Sequence, residues 1–293
     1  MKKKVRFLIV LMAFQGFMHL ASGQNVGITD KSDGITPVNL LQVHKDIATS
    51  GTLIQLSNQG TGEGVDDGIQ LGIDGSQNGL IINKESGKAI ILGGINAVND
   101  NTTIENDGTI VFNGAATTWD DIRVSFAARN SGTAPAQSAF AGSGALLEWS
   151  FPHISDAGNE KYLYCEVQLP HGWNEGSTIY PHIHWAPATS GGIGNVTWQL
   201  DYAWADKDAV FPLSTPVTAT VASIPTAAWT STMTNFDGGA LGAGISGSGK
   251  HISSILVCRI TRIPDGYNGA VSLVGFDILY EINTIGSRTA AAK

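Results

Sequence analysis

Residues 180 to 187 read YPHIHWAP, which places two histidines one residue apart in a strand-like run. Alternation along a strand puts His182 and His184 on one face with Tyr180 and Ala186, and Ile183 and Trp185 on the other. Two neutral imidazoles on one face can chelate a transition metal, and a nearby carboxylate would complete a site of two histidines and one acid. Asp201, on the polar face of NVTWQLDYAWA, is nominated as that acid. Asp277 and Glu281, on the polar face of FDILYEIN, are also within reach if the strands are neighbours. In a trimer, three copies of the H-x-H strand meeting at an axis would offer six nitrogens to one octahedral ion. The competing reading is that both imidazoles make ordinary hydrogen bonds at a surface or interface.

A second candidate chemistry is sugar binding. Trp173 follows a Pro-His-Gly turn, Trp229 follows PTAA and Tyr267 sits in PDGYNG, so three rings are expected at loop ends. Sugar rings stack on such platforms, and Asn174, Glu175 and Asp265 stand beside them to bind hydroxyls. The plainer alternative has the same rings plug the ends of the fold or pack on a neighbouring subunit. His153 and His171 each adjoin a proline and read as turn residues. Neighbours on a strand point to opposite faces, so the doublets Asp66-Asp67 and Asp120-Asp121 do not read as catalytic couples. The chain contains no G-x-S-x-G, phosphate loop or dinucleotide fingerprint, and DGSQNG lacks the spacing of a calcium loop. The expectation is a protein that is not an enzyme, with no cofactor unless a transition metal sits on the histidine pair.

These residues need strands to hold them. From residue 117 onward the runs are long and alternating (ALLEWSF, YLYCEVQL, TIYPHIHWAP, NVTWQLDYAWA, PVTATVASI, HISSILVCRITRI, AVSLVGFDILYEIN), and all seven tryptophans fall in this half. In NVTWQLDYAWA, Val196, Trp198, Leu200, Tyr202 and Trp204 share one face. Seven or eight such strands predict a jelly-roll-like antiparallel β-sandwich over 117–293, long enough to bury a full core. Cys165 and Cys258 lie on apolar strand faces; in an oxidising compartment they could form one disulfide, or they could be two separately buried thiols.

Residues 24–116 have another character. Short apolar runs (TLIQLSN, DGIQLGIDG, GLIINKES, KAIILGG, TIENDGTIVFNG) alternate with Gly, Asp and Asn, and only PVNLLQVHKDI suggests a helix. Each run is too short to bury a core within one chain. A β-rich fibre or prism segment that stacks on copies of itself is expected, giving an all-β protein overall. At the N-terminus, basic MKKKVR, the apolar run FLIVLMAFQGFMHLA and the small residues Ala21 and Gly23 read as a signal peptide over 1–23, cut before Gln24; an uncleaved anchor is the alternative. Loss of Lys2, Lys3, Lys4 and Arg6 takes the formal net charge from -8 to -12. A chain that acidic has no electrostatic reason to bind nucleic acid or an anionic membrane, and no later stretch is long enough to span a bilayer.

The succession TTWDDIRV, LPHGWNEGSTIYPHIHWAP, GNVTWQLDYAWA, SGSGKHISSILVCRITRI and FDILYEINTIGSR, over about residues 117 to 289, resembles virion-associated proteins of tailed bacteriophages and prophages, described as structural, tail-fibre or head-fibre proteins. The stretch DGIQLGIDGSQNGLIINKESGKAIILGG looks like the short β-repeats of fibre-like proteins of Bacteroidetes and their phages. The resemblance implies assembly or attachment and no catalytic mechanism. The signal-like leader departs from the phage pattern, since virion proteins assemble in the cytoplasm, and turns the implied role into a surface appendage or adhesin. The expectation is therefore a secreted or cell-surface protein that self-associates as a homo-oligomer, trimer or filament, with a cell-surface glycan as a further partner. The rivals are a carbohydrate-binding module, which needs Trp173, and a metal-dependent enzyme in the cupin manner, which needs His182, His184 and one acid to converge.

Overall fold

A computed structural model describes residues 51–56, 60, 67–73, 78–93, 99–130, 132–236 and 243–290. The expected signal peptide and the helix-like PVNLLQVHKDI lie outside them. The chain divides into two compact units between Lys88 and Ala89.

In the first unit, β1 (Gly51–Leu56), β2 (Ile69–Ile73) and β3 (Gly79–Asn83) form a three-stranded antiparallel sheet in that order. The Glu85 carboxylate accepts the Gly68 amide at 2.7 Å and so ties the exit of β3 to the entry of β2. Strands of five or six residues cannot enclose an interior, and Ile81 is left 64% exposed.

The second unit begins with another small antiparallel sheet, β4 (Ile90–Gly93), β5 (Asn101–Ile104) and β6 (Ile110–Asn113). The β5–β6 turn is closed by Asp107, whose carboxylate accepts the Thr109 amide, and by Gly108 at φ +85°. A non-glycine residue would be strained there. The Phe112 amide donates to the Asn283 carbonyl at 2.7 Å, which fastens this sheet to the chain that leaves the last strand.

The remaining strands are β7 (Thr118–Val124), β8 (Ala136–Phe140), β9 (Ser143–Phe151), β10 (Tyr162–Gln168), β11 (Tyr180–Pro187), β12 (Val196–Ala205), β13 (Thr215–Val221), β14 (Thr232–Asn235), β15 (Ile255–Arg262) and β16 (Val271–Ile282). They build two sheets, β10-β15-β12-β13 and β14-β11-β16-β9-β8, with β7 also on β16. β9 pairs with residues 271–273 and β7 with residues 276–282, so the two share one edge of β16. Counting them as the first strand of eight gives the orders first-eighth-third-sixth and second-seventh-fourth-fifth. That is the interleaving produced by two Greek keys, and the expected all-β, jelly-roll-like sandwich is the fold observed.

The core lies between these sheets. Val196, Trp198, Leu200 and Trp204 face it from β12, and Ile183 and Trp185 face it from β11. The rings of Trp185 and Trp198 meet across it at 6.3 Å, and Phe151 meets Trp198 edge-on at 5.1 Å. On β16 simple alternation fails, because Leu273 and Phe276 both point inward. A register shift against His184/Trp185 accounts for this: β16 carries an extra residue there, and Val274 is turned out to solvent. Cys165 and Cys258 are direct partners across β10 and β15, and both are buried, free thiols.

Among the described residues no helix is long and apolar enough to cross a membrane.

Candidate functional site

The face of β11 that turns away from the core carries His182 and His184. Register then decides which acid they meet. His182 is the direct partner of Asp277 on β16, and Asp277 is in turn the direct partner of Arg123 on β7. A single row across three strands therefore reads His182, Asp277, Arg123. His184 faces Gly275 and stands one step along.

The distances follow from that row. His184 Nε2 lies 3.0 Å from Asp277 Oδ2, and His182 Nε2 lies 3.8 Å from the same oxygen. His182 Nε2 is also 3.9 Å from Asp121 Oδ1, one row further on β7. The two imidazole rings meet edge to face with centroids 5.3 Å apart. Arg123 donates from Nε to Asp277 Oδ1 and from Nη2 to Asp277 Oδ2, each at 3.1 Å. This fork raises the Arg123 pKa above its ordinary value, the hydrogen bonds to Asp277 being the largest cause. The guanidinium lies over Gly275, where a Cβ would meet Arg123 Cζ at an ordinary contact distance of 3.5 Å. His182 and Asp277 are buried although they stand on the outer face, while His184 is half-buried and Arg123 is exposed.

Among the described residues, His182, His184 and Asp277 form the group of ligand-type side chains whose donor atoms all lie within 4.8 Å of one another. Asp201, nominated from the sequence, is not a member. It sits on β12 in the opposite sheet, where Arg259 donates to its Oδ2 from Nε at 3.0 Å and Nη2 at 2.8 Å, and Gln199 donates to its Oδ1 at 2.9 Å. Strand parity correctly gave it a polar face, but of the wrong sheet. Glu281 lies two rows from Asp277 and is taken up by the Thr117 hydroxyl at 2.6 Å and the Asn174 side-chain amide at 2.9 Å. Asp121 and Arg123 were missed. TTWDDIRV alternates, so Trp119, Asp121 and Arg123 share a face, and that pattern was the available signal.

The residues nominated for sugar binding are not a platform. Trp173 is fully buried, donates from Nε1 to the Ser177 hydroxyl at 2.9 Å, and packs on Trp204 with centroids 5.7 Å apart. Tyr267 is also fully buried, and its hydroxyl donates to the Thr189 carbonyl at 3.2 Å. Trp229 is half-buried and meets Phe140 edge-on at 5.2 Å. Asn174 bridges Glu281 and Asn283, and Glu175 accepts the Ile252 amide at 2.8 Å. The turns around Trp173 and Tyr267 fold back onto the sandwich and put these two rings in its core, while Trp229 stays partly exposed against Phe140. The exposed ring beside the histidines is Trp119, edge-on to Tyr180 at 5.6 Å.

The acid doublet on β7 divides as strand geometry requires. Asp121 faces His182, while Asp120 accepts the Tyr280 hydroxyl at 3.2 Å. Burial, with Asp120 beside it, pushes the Tyr280 hydroxyl up to about 12. Asp66 lies outside the described residues. His153 is exposed, and His171 Nδ1 lies 2.5 Å from Ser287 Oγ.

A further titratable pair, His251 and Asp206, joins two loops. His251 Nδ1 is 2.8 Å from Asp206 Oδ2, and the His251 amide donates to Asp206 Oδ1 at 3.0 Å. The hydrogen bond to Asp206 raises the His251 pKa above 6.5, and the same bond lowers that of Asp206 below 3.8. A raised histidine contributes below its unfolded pKa and loses that contribution as pH rises through the folded value. A lowered carboxylate contributes above its unfolded pKa and loses it as pH falls through the folded one. The pair is therefore strongest between the two. NMR titration is expected to place His251 above 6.5, and Asp206→Asn to return it toward that value; equal titration of the two proteins would contradict the pairing.

No protein-family model matches the chain, and no curated protein matches it. Among solved structures, those of the Gx and Gt strains of infectious bursal disease virus are similar to it. The first shares 11% identity over 88% of this chain and 56% of its own, with a TM-score of 0.31. The second shares 12% identity over 77% of this chain and 45% of its own, again with a TM-score of 0.31. The chain thus spans about half the length of these chains, and nothing about the site follows from likeness at this level.

Proposed function

We propose that this chain is an exported structural protein that associates with copies of itself into a fibre or surface assembly, with adhesion as the assembly's role. The observation that carries the reading is the set of large aliphatic side chains left in water on sheets too small to cover them. Leu56 and Ile81 are exposed on β1 and β3, and Ile91 and Leu92 on β4. On the sandwich, Leu146 and Leu147 are exposed on the part of β9 that extends beyond its pairing with β16. Exposed aliphatic groups on sheets are what contact with another copy would cover. Similar short sheets stacked on one another would bury these groups, and the acidic surface with its low density of charge permits close packing of copies. The sequence resemblance to phage fibre and virion-associated proteins points the same way, and the signal-like pattern of residues 1–23 is the support for export. A carbohydrate-binding role loses support, since Trp173 and Tyr267 are fully buried. The cupin-like alternative gains its acid in Asp277, yet the group lies on the outer face of a sheet, away from the interior.

Light scattering of the purified chain across a dilution series is expected to give a mass several times that of one chain. Ile81→Lys combined with Ile91→Lys should weaken association by roughly tenfold or more, because each aliphatic side chain buried contributes about 1.5–3 kcal/mol. A single-chain mass at every concentration would remove the proposal.

A further inference from the structure

His182 holds the key. Its Nδ1 lies 3.4 Å from the Tyr180 carbonyl, and a carbonyl oxygen can only accept, so the bond requires the proton on Nδ1. In the neutral form of the ring, Nε2 then carries the lone pair. Around it stand Asp277 Oδ2 at 3.8 Å and Asp121 Oδ1 at 3.9 Å, both too far for a hydrogen bond. His184 Nε2, 3.0 Å from Asp277 Oδ2, lies within the same 4.8 Å group. Two imidazole nitrogens and a carboxylate oxygen thus converge within 4.8 Å of one another, with the Asp121 carboxylate at the rim and Arg123 already donating to the same Asp277 oxygen. Nitrogens and an oxygen so placed are a donor set that can close on one cation.

We propose that the outer face of the β11–β16–β7 sheet is a binding site for one divalent first-row transition-metal ion, zinc being the test case. The ion is held by His182 Nε2, His184 Nε2 and Asp277, with Asp121 or water completing the shell. Ligand-to-metal distances of about 2.0–2.2 Å require the group to draw together from its 4.8 Å span. The second shell is already in place: the Tyr180 carbonyl fixes the tautomer and tilt of His182, as backbone carbonyls do for metal-bound imidazoles. Imidazole with one carboxylate suits zinc, iron, cobalt and nickel, and discriminates against magnesium and calcium, which prefer all-oxygen sites. Arg123 is the competitor. Its fork on Asp277 occupies the carboxylate that the ion needs, so binding turns the guanidinium out toward solvent, where it is already exposed. The proposal does not depend on self-association.

Calorimetric titration of the tag-free chain with Zn²⁺, with metal content measured after desalting, tests it. About one equivalent per chain is expected. His184→Gln and His182→Gln should each weaken binding by about tenfold or more while the thermal melt of the metal-free protein stays close to that of the parent. Arg123→Gln should tighten binding severalfold by freeing Asp277, an effect in the opposite direction that general destabilisation would not produce. Retention of less than about a tenth of an equivalent by the parent chain overturns the proposal, as does undiminished affinity in both histidine variants. Mg²⁺ at the same concentrations should not compete; displacement of zinc by Mg²⁺ would exclude the imidazole ligands.

Discussion

Asp265→Ala is expected to lower the free energy of unfolding of the sandwich by about 3–5 kcal/mol, the range for removing one partner of a buried ion pair. Asp265 and Arg262 have no solvent-exposed side-chain surface. The guanidinium donates from Nε to Asp265 Oδ2 and from Nη2 to Oδ1, each at 2.7 Å, and from Nη1 to the Gly269 carbonyl at 2.6 Å. It also donates to the Tyr267 carbonyl. Asp265 in turn accepts the Thr197 and Tyr267 amides, each at 3.1 Å. The pair thus closes the PDGYNG turn and clamps it to β12. Gly194 makes the approach possible, since a Cβ there would fall 2.1 Å from the Gly266 carbonyl oxygen. Alanine at 265 would leave a guanidinium in the interior with neither water nor carboxylate, and that stranded charge is the source of the cost. Urea unfolding followed by tryptophan fluorescence measures it. The double variant Arg262→Met, Asp265→Leu should recover much of the loss, because replacing both charges with apolar groups avoids the stranded ion. A loss below about 1 kcal/mol in the single variant would mean that the turn is not anchored by this pair.

The second large effect is at Trp173. If this ring were a sugar platform, Trp173→Ala would abolish glycan binding and leave the fold intact. The structure predicts the reverse: a destabilisation of about 3–5 kcal/mol, typical of truncating a buried tryptophan to alanine. The indole is fully enclosed, packs at a tilt on Trp204 and donates to Ser177. Gly247 packs against it, and a Cβ at that position would come 2.8 Å from Trp173 Cζ2. Trp173→Phe, which keeps most of the apolar contact and loses the hydrogen bond, should cost less than half as much. Thermal melts of the two variants decide the matter; an alanine variant melting at the parent temperature would return the ring to the surface.

These residues show where sequence reasoning reaches and where it stops. Alternation in NVTWQLDYAWA was enough to give the inward face of β12, and in YPHIHWAP it was enough to put both histidines on one side of β11. Pairing between strands far apart in the chain could not be read this way. Whether β11 meets β12 or β16 decides between Asp201 and Asp277, and that choice depends on Greek-key connectivity rather than on any local pattern. On β16 even the parity was hidden, because the extra residue near Val274 reverses it midway. The aromatic turns failed for a related reason. Gly and Pro around Trp173 and Tyr267 correctly marked changes of direction, but a turn residue is exposed only if the turn leads outward, and both of these lead back over the core. The small sheets were legible as short strands, and their uncovered aliphatic groups agree with runs too short to form an interior.

The facing thiols of Cys165 and Cys258 carry a consequence for the history of each molecule. Both sulfurs lie in the sealed interior, and the thiol–thiol hydrogen bond together with burial pushes the Cys258 ionisation far above its ordinary value. Thiolate is the form that reacts, so the raised ionisation of Cys258 and the burial of both sulfurs slow attack on the finished sandwich. Oxidation chemistry at these two positions belongs to the interval before β10 and β15 are covered by the opposite sheet. A molecule that completes folding with reduced sulfurs is expected to be oxidised there more slowly than an unfolded chain, because both are buried.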